Sequence, residues 1–126
     1  MKMKVLALDY GSARTGVAIS DPTGTIARPV ATIARVDETA GFDELVALVR
    51  GEEPELVVVG LPLTLRGDHG EQARETSAFV ERLRAAIGPR VEMWDERFTS
   101  VLADGDDARA AAHLLTSYLE WRGVAS

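Results

Sequence analysis

Cysteine is absent from the 126 residues, lysine and histidine each occur only twice, and aromatic residues make up 6%. Without cysteine there are no disulfides and no thiolate metal sites, a usage that suits the cytoplasm. The two histidines, His69 and His113, have no second histidine or cysteine at metal-ligand spacing, which argues against a zinc centre. No apolar run reaches bilayer length, so no membrane is expected as a partner. Met1-Lys2-Met3-Lys4 leads directly into a strand-like segment with no small-residue cleavage site, and no secretory signal is read there. There is no Gly-Lys-Ser/Thr phosphate loop, no repeat, no low-complexity tract and no linker. The length accommodates one core, so a single domain over 1–126 is expected.

What charge there is has a pattern. The formal net charge of −6 argues against nonspecific nucleic-acid adhesion through an overall basic surface, but leaves room for a local basic path. Twelve of the fourteen cationic side chains are arginine, whose planar fork suits bidentate phosphate contacts.

Apolar patterning gives the architecture. Residues 4–9 form a continuous apolar run, the signature of a strand buried on both faces. Residues 16–20 and 25–33 follow as strands separated by Asp21-Pro22-Thr23-Gly24, a turn sequence, so the first three strands form an antiparallel meander. Pro29 places the third strand on an edge or breaks it. A helix capped by Asp37 or Thr39 runs to about Arg50, with Phe42, Leu45, Val46 and Val49 on one face and Gly51 as its stop. Residues 55–60 are again continuously apolar, and the right-handed crossover rule makes this strand parallel to the first. A loop over 61–70, a helix over 71–87 using Ala78, Phe79, Arg82, Leu83 and Ile87, a strand over 90–94 and a helix over 106–121 complete the chain. In the last helix Ala108, Ala111, Ala112, Leu115, Tyr118 and Leu119 are expected to face the core, and Trp94 and Trp121 read as core or interface residues. The order β-β-β-α-β-α-β-α implies an α/β fold with a five-stranded mixed sheet, strand order 3-2-1-4-5, and helices on both faces. Ligands of such sheets bind beyond the carboxyl ends of strands where the connections change direction, and Asp9 ends the first strand there.

A carboxylate at the tip of a buried strand costs free energy unless it is paired, hydrogen-bonded or metal-bound. The fifth strand delivers Asp95-Glu96-Arg97 to the same sheet edge, and strand alternation lets only one of Asp95 and Glu96 share Asp9's face. Asp106 and Asp107 open the last helix and can bring a third acid. Singly, each acid has a structural reading: a turn for Asp9, a solvated strand end for the pair, the helix macrodipole for Asp106 and Asp107. Together they would repel one another unless a cation neutralised them. All-oxygen ligation suits one or two Mg²⁺ or Mn²⁺ ions, which can activate water, hold a phosphate and neutralise a leaving oxygen in phosphodiester hydrolysis.

Leu8-Asp9-Tyr10-Gly11, Arg14-Thr15-Gly16-Val17-Ala18, Ala27-Arg28-Pro29, Val58-Val59-Gly60-Leu61-Pro62 with Gly67, Asp95-Glu96-Arg97-Phe98-Thr99-Ser100 and Asp107 leading into Ser117-Tyr118-Leu119 occur in that order. In this series the chain resembles the YqgF/RuvX family, Holliday-junction-resolvase-like nucleases of the ribonuclease H fold that are also described as pre-16S rRNA nucleases. The resemblance implies a hydrolase acting on structured nucleic acid, with Asp9, Glu96 and Asp107 as catalytic acids and metal ligands. It further implies a phosphate contact at Arg97; read from the residues themselves, Gly11 to Gly16, with Ser12 and Arg14, could cradle a phosphate through backbone N–H groups, and the loop carrying Arg66 reads as either a substrate-binding rim or a plain surface loop. The implied task is processing of the 5′ end of pre-16S rRNA. Resolution of Holliday junctions in branched DNA is the alternative, and a catalytically weak nucleic-acid-binding or interaction module is the rival of another class. A resolvase would need a homodimer for two symmetric incisions, whereas rRNA trimming suits a monomer. Actin-like ATPases share a first-strand Asp and glycine turn, but need two such domains. One departure stands out: the family's longer basic segment before the last helix is reduced here to residues 97–106, which include Asp104-Gly105-Asp106. Ten residues can still span up to ~33 Å, enough for Asp107 to reach the acids.

Overall fold

The computed structural model describes residues 3–11, 13–61, 70–95 and 107–125. Strand β1 (Val5–Asp9) lies at the centre of a five-stranded sheet of order β3-β2-β1-β4-β5. Strands β2 (Arg14–Ser20) and β3 (Ala27–Ala34) continue from it as an antiparallel meander, while β4 (Leu56–Leu61) and β5 (Arg90–Asp95) lie parallel on the other side. This is the expected topology, because each parallel neighbour is reached through a helix and each antiparallel one through a turn. The turn before β3 is built by Asp21, whose Oδ1 accepts the N–H groups of Thr25 (2.9 Å) and Ile26 (3.0 Å).

The two faces of the sheet are covered differently. Helices α1 (Thr39–Glu52) and α2 (Glu71–Ala86) cover one face, packing Leu45, Val49, Phe79, Val80 and Leu83 on Leu6, Leu8, Val17, Ile19, Val57 and Val59. Helix α3 (Asp107–Ala125) covers the other, where Ala111, Leu114, Leu115 and Tyr118 meet Val5, Ala7, Ala18, Leu56, Val58 and Trp94. Full burial of a side chain the size of Leu114 contributes about 1.5–3 kcal/mol, and the small Ala7–Ala18 pair lets α3 approach the sheet closely.

Several local expectations need correction. Gly51 does not end α1: the helix runs on to Glu52, and Glu53 stops it in a left-handed conformation (φ 52°), donating its N–H to the Val49 carbonyl ahead of Pro54, which cannot continue a helix. Neither Asp37 nor Thr39 caps α1. The N-cap is Glu38, with no side-chain cap bond, and Asp37 pairs with Arg35 at 3.1 Å. Ala78 and Arg82 are exposed, and the buried face of α2 is Ala73, Thr76, Phe79, Val80 and Leu83. Thr76 replaces an apolar residue at no polar cost because its hydroxyl donates to the Gln72 carbonyl at 2.9 Å. Pro29 does lie on the edge strand, and the pairing of β3 with β2 slips there, since Val17 opposes Ala31 while Ala18 opposes Pro29. Strand β2 begins two residues earlier than its apolar pattern suggests, at Arg14, which brings that side chain into the sheet.

Candidate active site

Asp9, half-buried, is the last residue of β1, and its antiparallel partner on β2 is Gly16. Directly opposed residues project to the same face. Val5 and Ala7, which share Asp9's parity on β1, pack under α3, so Asp9 faces α3 as well. Gly16 has no side chain on that face for a specific reason. A Cβ there would stand 1.7 Å from the carbonyl oxygen of Asp107, 2.2 Å from its carbon and 2.9 Å from the Ala108 nitrogen. The first residue of α3 therefore rests on the backbone of the residue paired with Asp9. Arg14 fixes it from the side, its Nε lying 3.1 Å from Asp107 Oδ2. Asp107 also occupies the first turn of α3, where the helix macrodipole favours a carboxylate.

Gly11, after β1, packs closely against the first residues of β2. A Cβ on Gly11 would come within 2.5 Å of the Arg14 carbonyl oxygen, and the buried Thr15 hydroxyl donates to the Gly11 carbonyl (3.3 Å) and accepts its N–H (3.4 Å). On the opposite face Tyr10 stacks on Phe79 with centroids 4.6 Å apart, beside a cleft of about 300 Å³ that Asp37, Glu75 and Arg82 also line. Burial, and then the negative charges of Asp37 and Glu75, push the Tyr10 phenol above its ordinary value.

The parity of β5 decides between its two terminal acids. Trp94 packs in the α3 layer and Val91 in the opposite one, so Asp95, at the parity of Val91, does not share Asp9's face. Ser12, Arg66, Glu96 and Arg97 lie outside the described residues, as do His69, Asp106 and most of the 61–70 loop. Of the three expected acids, Asp9 and Asp107 are thus brought to one end and one face of the sheet. Among the described residues no group of three or more His, Asp or Glu is arranged to hold a metal ion. The two that are assembled are hard oxygen donors, the donor chemistry of Mg²⁺ and Mn²⁺. His113 is exposed on α3, beside Arg109, and Trp94 is buried.

The family model described as RuvX, Holliday junction resolvase, matches residues 3–121. The chain belongs to the RuvX family, a family of nucleases. A pre-16S rRNA nuclease, so named, of Rubrobacter xylanophilus is 44% identical over 137 aligned positions, covering 97% of this chain and 96% of the relative. That alignment is longer than the 126-residue chain, so the relative carries residues that this RuvX protein lacks. The like-named relative of Chloroflexus aggregans is 46% identical over 79% of this chain and 70% of its own length, and the match to one from Chloroflexus aurantiacus spans 65% of that protein. Among solved structures, Thermus thermophilus RuvC in complex with a Holliday junction substrate superposes with a TM-score of 0.62 at 15% identity, covering 96% of both chains. Fowlpox virus resolvase in complex with Holliday junction DNA gives 0.61 at 13% identity, covering 95% of this chain and 99% of its own. The fold of this RuvX chain is ribonuclease H-like.

Within the family motifs, Gly16 and Thr15 have structural roles that sequence reasoning left unassigned. The available signal was a glycine inside a strand pattern, which marks close approach of another backbone.

Proposed function

We propose that this RuvX protein is a metal-dependent phosphodiesterase that trims the 5′ end of pre-16S rRNA, using Asp9, Glu96 and Asp107. The observation that carries the reading is the placement of Asp9 and Asp107: the residue paired with the first acid is the residue on which the second one rests. Glu96 is the third member that the family motif implies, Asp95 lying at the parity of Val91 and so off Asp9's face, and the names of the curated relatives support the rRNA substrate.

Asp9, Asp107 and Glu96 would hold Mg²⁺ or Mn²⁺, which supplies charge neutralisation at the phosphate and lowers the pKa of water. Asp9 presents its carboxylate from the rigid central strand, so its position does not depend on a loop. Asp107 takes its position from Gly16 and its orientation from Arg14. Gly11 leaves room for the Arg14 backbone at the start of β2, while Ser12, Arg66 and Arg97 are assigned to the phosphate backbone of the substrate.

The test is cleavage of a 5′-extended 16S rRNA precursor and of a four-way DNA junction, each with Mg²⁺ or Mn²⁺, by the wild type, Asp9→Asn and Asp107→Asn. The expected outcome is rRNA cleavage that falls at least about a hundredfold in both variants. Paired symmetric incision of the junction, with the rRNA left intact, would instead make the protein a resolvase, the activity in the family's description. Binding without cleavage under either ion, or cleavage that survives Asp9→Asn, rules out the proposed chemistry and leaves an interaction module.

A further inference from the structure

Arg14 and Asp107 form an ion pair at the start of α3. The contact runs from Arg14 Nε to Asp107 Oδ2 at 3.1 Å. A guanidinium carries further N–H donors whose fork matches the spacing of two phosphate oxygens. The arginine side chain is 63% exposed and that of Asp107 30%. The backbone of Arg14 pairs with Ala34 on β3.

We propose that Arg14 is a positioning residue that exchanges partners: it holds Asp107 while no divalent ion is bound, releases it to the ion, and then takes the phosphate about to be cleaved. The proposal rests on the metal-dependent reading above. Its first part follows from charge. Asp107 shares a face with Asp9, a second negative charge, and the Arg14 guanidinium 3.1 Å from it offsets that repulsion. The second part follows from strength. A pair this exposed is weak and solvent-screened, so a divalent ion can outcompete it. The third part follows from the chemistry of guanidinium, which stays protonated at any working pH. Once a divalent ion takes the Asp107 carboxylate oxygen, Arg14 is free to pair with another anion, and the arriving phosphate is that anion. The same exchange would keep Asp107 correctly placed before loading and add a phosphate contact only after it, which ties substrate binding to metal occupancy.

The exchange predicts opposite effects of one substitution on two ligands. Mn²⁺ alone is titrated into the wild type, Arg14→Gln, Arg14→Lys and Asp107→Asn, with free Mn²⁺ followed by electron paramagnetic resonance, and KM and kcat are then measured on the substrate. Arg14→Gln should bind Mn²⁺ about two- to fivefold more tightly, since the ion no longer displaces a competitor. It should also raise KM about tenfold, through loss of a charge-assisted fork. Arg14→Lys keeps the charge and tests the fork: Mn²⁺ affinity stays near wild type while KM still rises. Asp107→Asn should lose Mn²⁺ binding. If Asp107→Asn loses the ion but Arg14→Gln binds it no more tightly than the wild type, Arg14 is a fixed strap and the exchange is wrong. If Arg14→Gln tightens Mn²⁺ with KM unchanged, the transfer to phosphate is wrong. If the wild type binds no Mn²⁺, or Asp107→Asn binds it normally, the metal-dependent reading fails together with the exchange.

Discussion

Replacing Gly16 with alanine adds one methyl group at the point where α3 meets the sheet. The new carbon would lie 1.7 Å from the Asp107 carbonyl oxygen, whereas real Cβ atoms essentially never come closer than 3.0 Å to such a neighbour. The obstructing atoms belong to backbone at both sides, so no rotamer change relieves the overlap, and the first turn of α3 must retreat by more than an ångström. Overpacking of this kind typically costs 1–3 kcal/mol. The upper end applies here, because Ala111 and Leu114 follow within the next two turns and lose contact with Ala18 and Val58 as the helix tilts. A loss of about 3 kcal/mol in a domain of this size lowers Tm by roughly 10–15 °C. The site suffers separately, since an ångström of displacement of a catalytic group can reduce turnover about a hundredfold. Thermal melts followed by far-UV circular dichroism, together with Mn²⁺ titration, measure both effects. Gly51→Ala is the matched control: it lies inside α1, a Cβ there meets nothing within 4 Å, and alanine should stabilise the helix by up to about 1 kcal/mol. A Gly16→Ala protein that melts within about 2 °C of wild type and binds Mn²⁺ normally would refute the packing of α3 on β2 and, with it, the placement of Asp107.

Two further predictions concern pH. Both tyrosines in the chain, Tyr10 and Tyr118, have phenols pushed above the ordinary value of 10.0, in each case chiefly by burial. Absorbance titration of the folded protein should therefore show no phenolate plateau until well above pH 10. The unfolded chain ionises first, so this contribution to stability is complete below pH 10 and disappears as pH rises through the folded values; a normal titration midpoint would refute it. Asp21 behaves in the opposite sense: hydrogen bonds from the Thr23 hydroxyl and then from the Ile26 and Thr25 backbone hold its carboxyl down to about 2 against an ordinary 3.8. Its contribution is present above pH 3.8 and is lost as pH falls towards 2, so Asp21→Asn should flatten the acid limb of a stability profile in that window.

The strand order was readable because it depends on features that survive without tertiary context: continuous apolar runs, turn residues between the first three strands, and helices before the last two. The boundaries were less readable where backbone rather than side chain decides. Glu53 ends α1 through a left-handed backbone that no propensity assigns to glutamate, while the neighbouring Gly51, the obvious stop, remains helical. In α2 the apolar pattern misled in two ways. Ala78 is small enough to be tolerated on the exposed side, and Thr76 is buried because its hydroxyl bonds within the helix. In α3, Leu114 is fully buried although the alanine stripe, taken alone, places the core face one position away.

Asp107 shows why a site is harder to read than a fold. Its residue type and its place at a helix start are equally consistent with favouring the macrodipole, and its connection to β5 is short. What sets its place in the fold is Gly16, a residue with no functional group. A glycine inside β2 weakens the strand unless something occupies the space of the missing side chain. Here the Asp107 backbone occupies it, opposite Asp9 across the β1–β2 pair. This seat makes the position of Asp107 relative to Asp9 a property of the sheet, independent of how many residues connect β5 to α3. Shortening that connection can therefore change what the protein contacts along the substrate without moving the two acids apart.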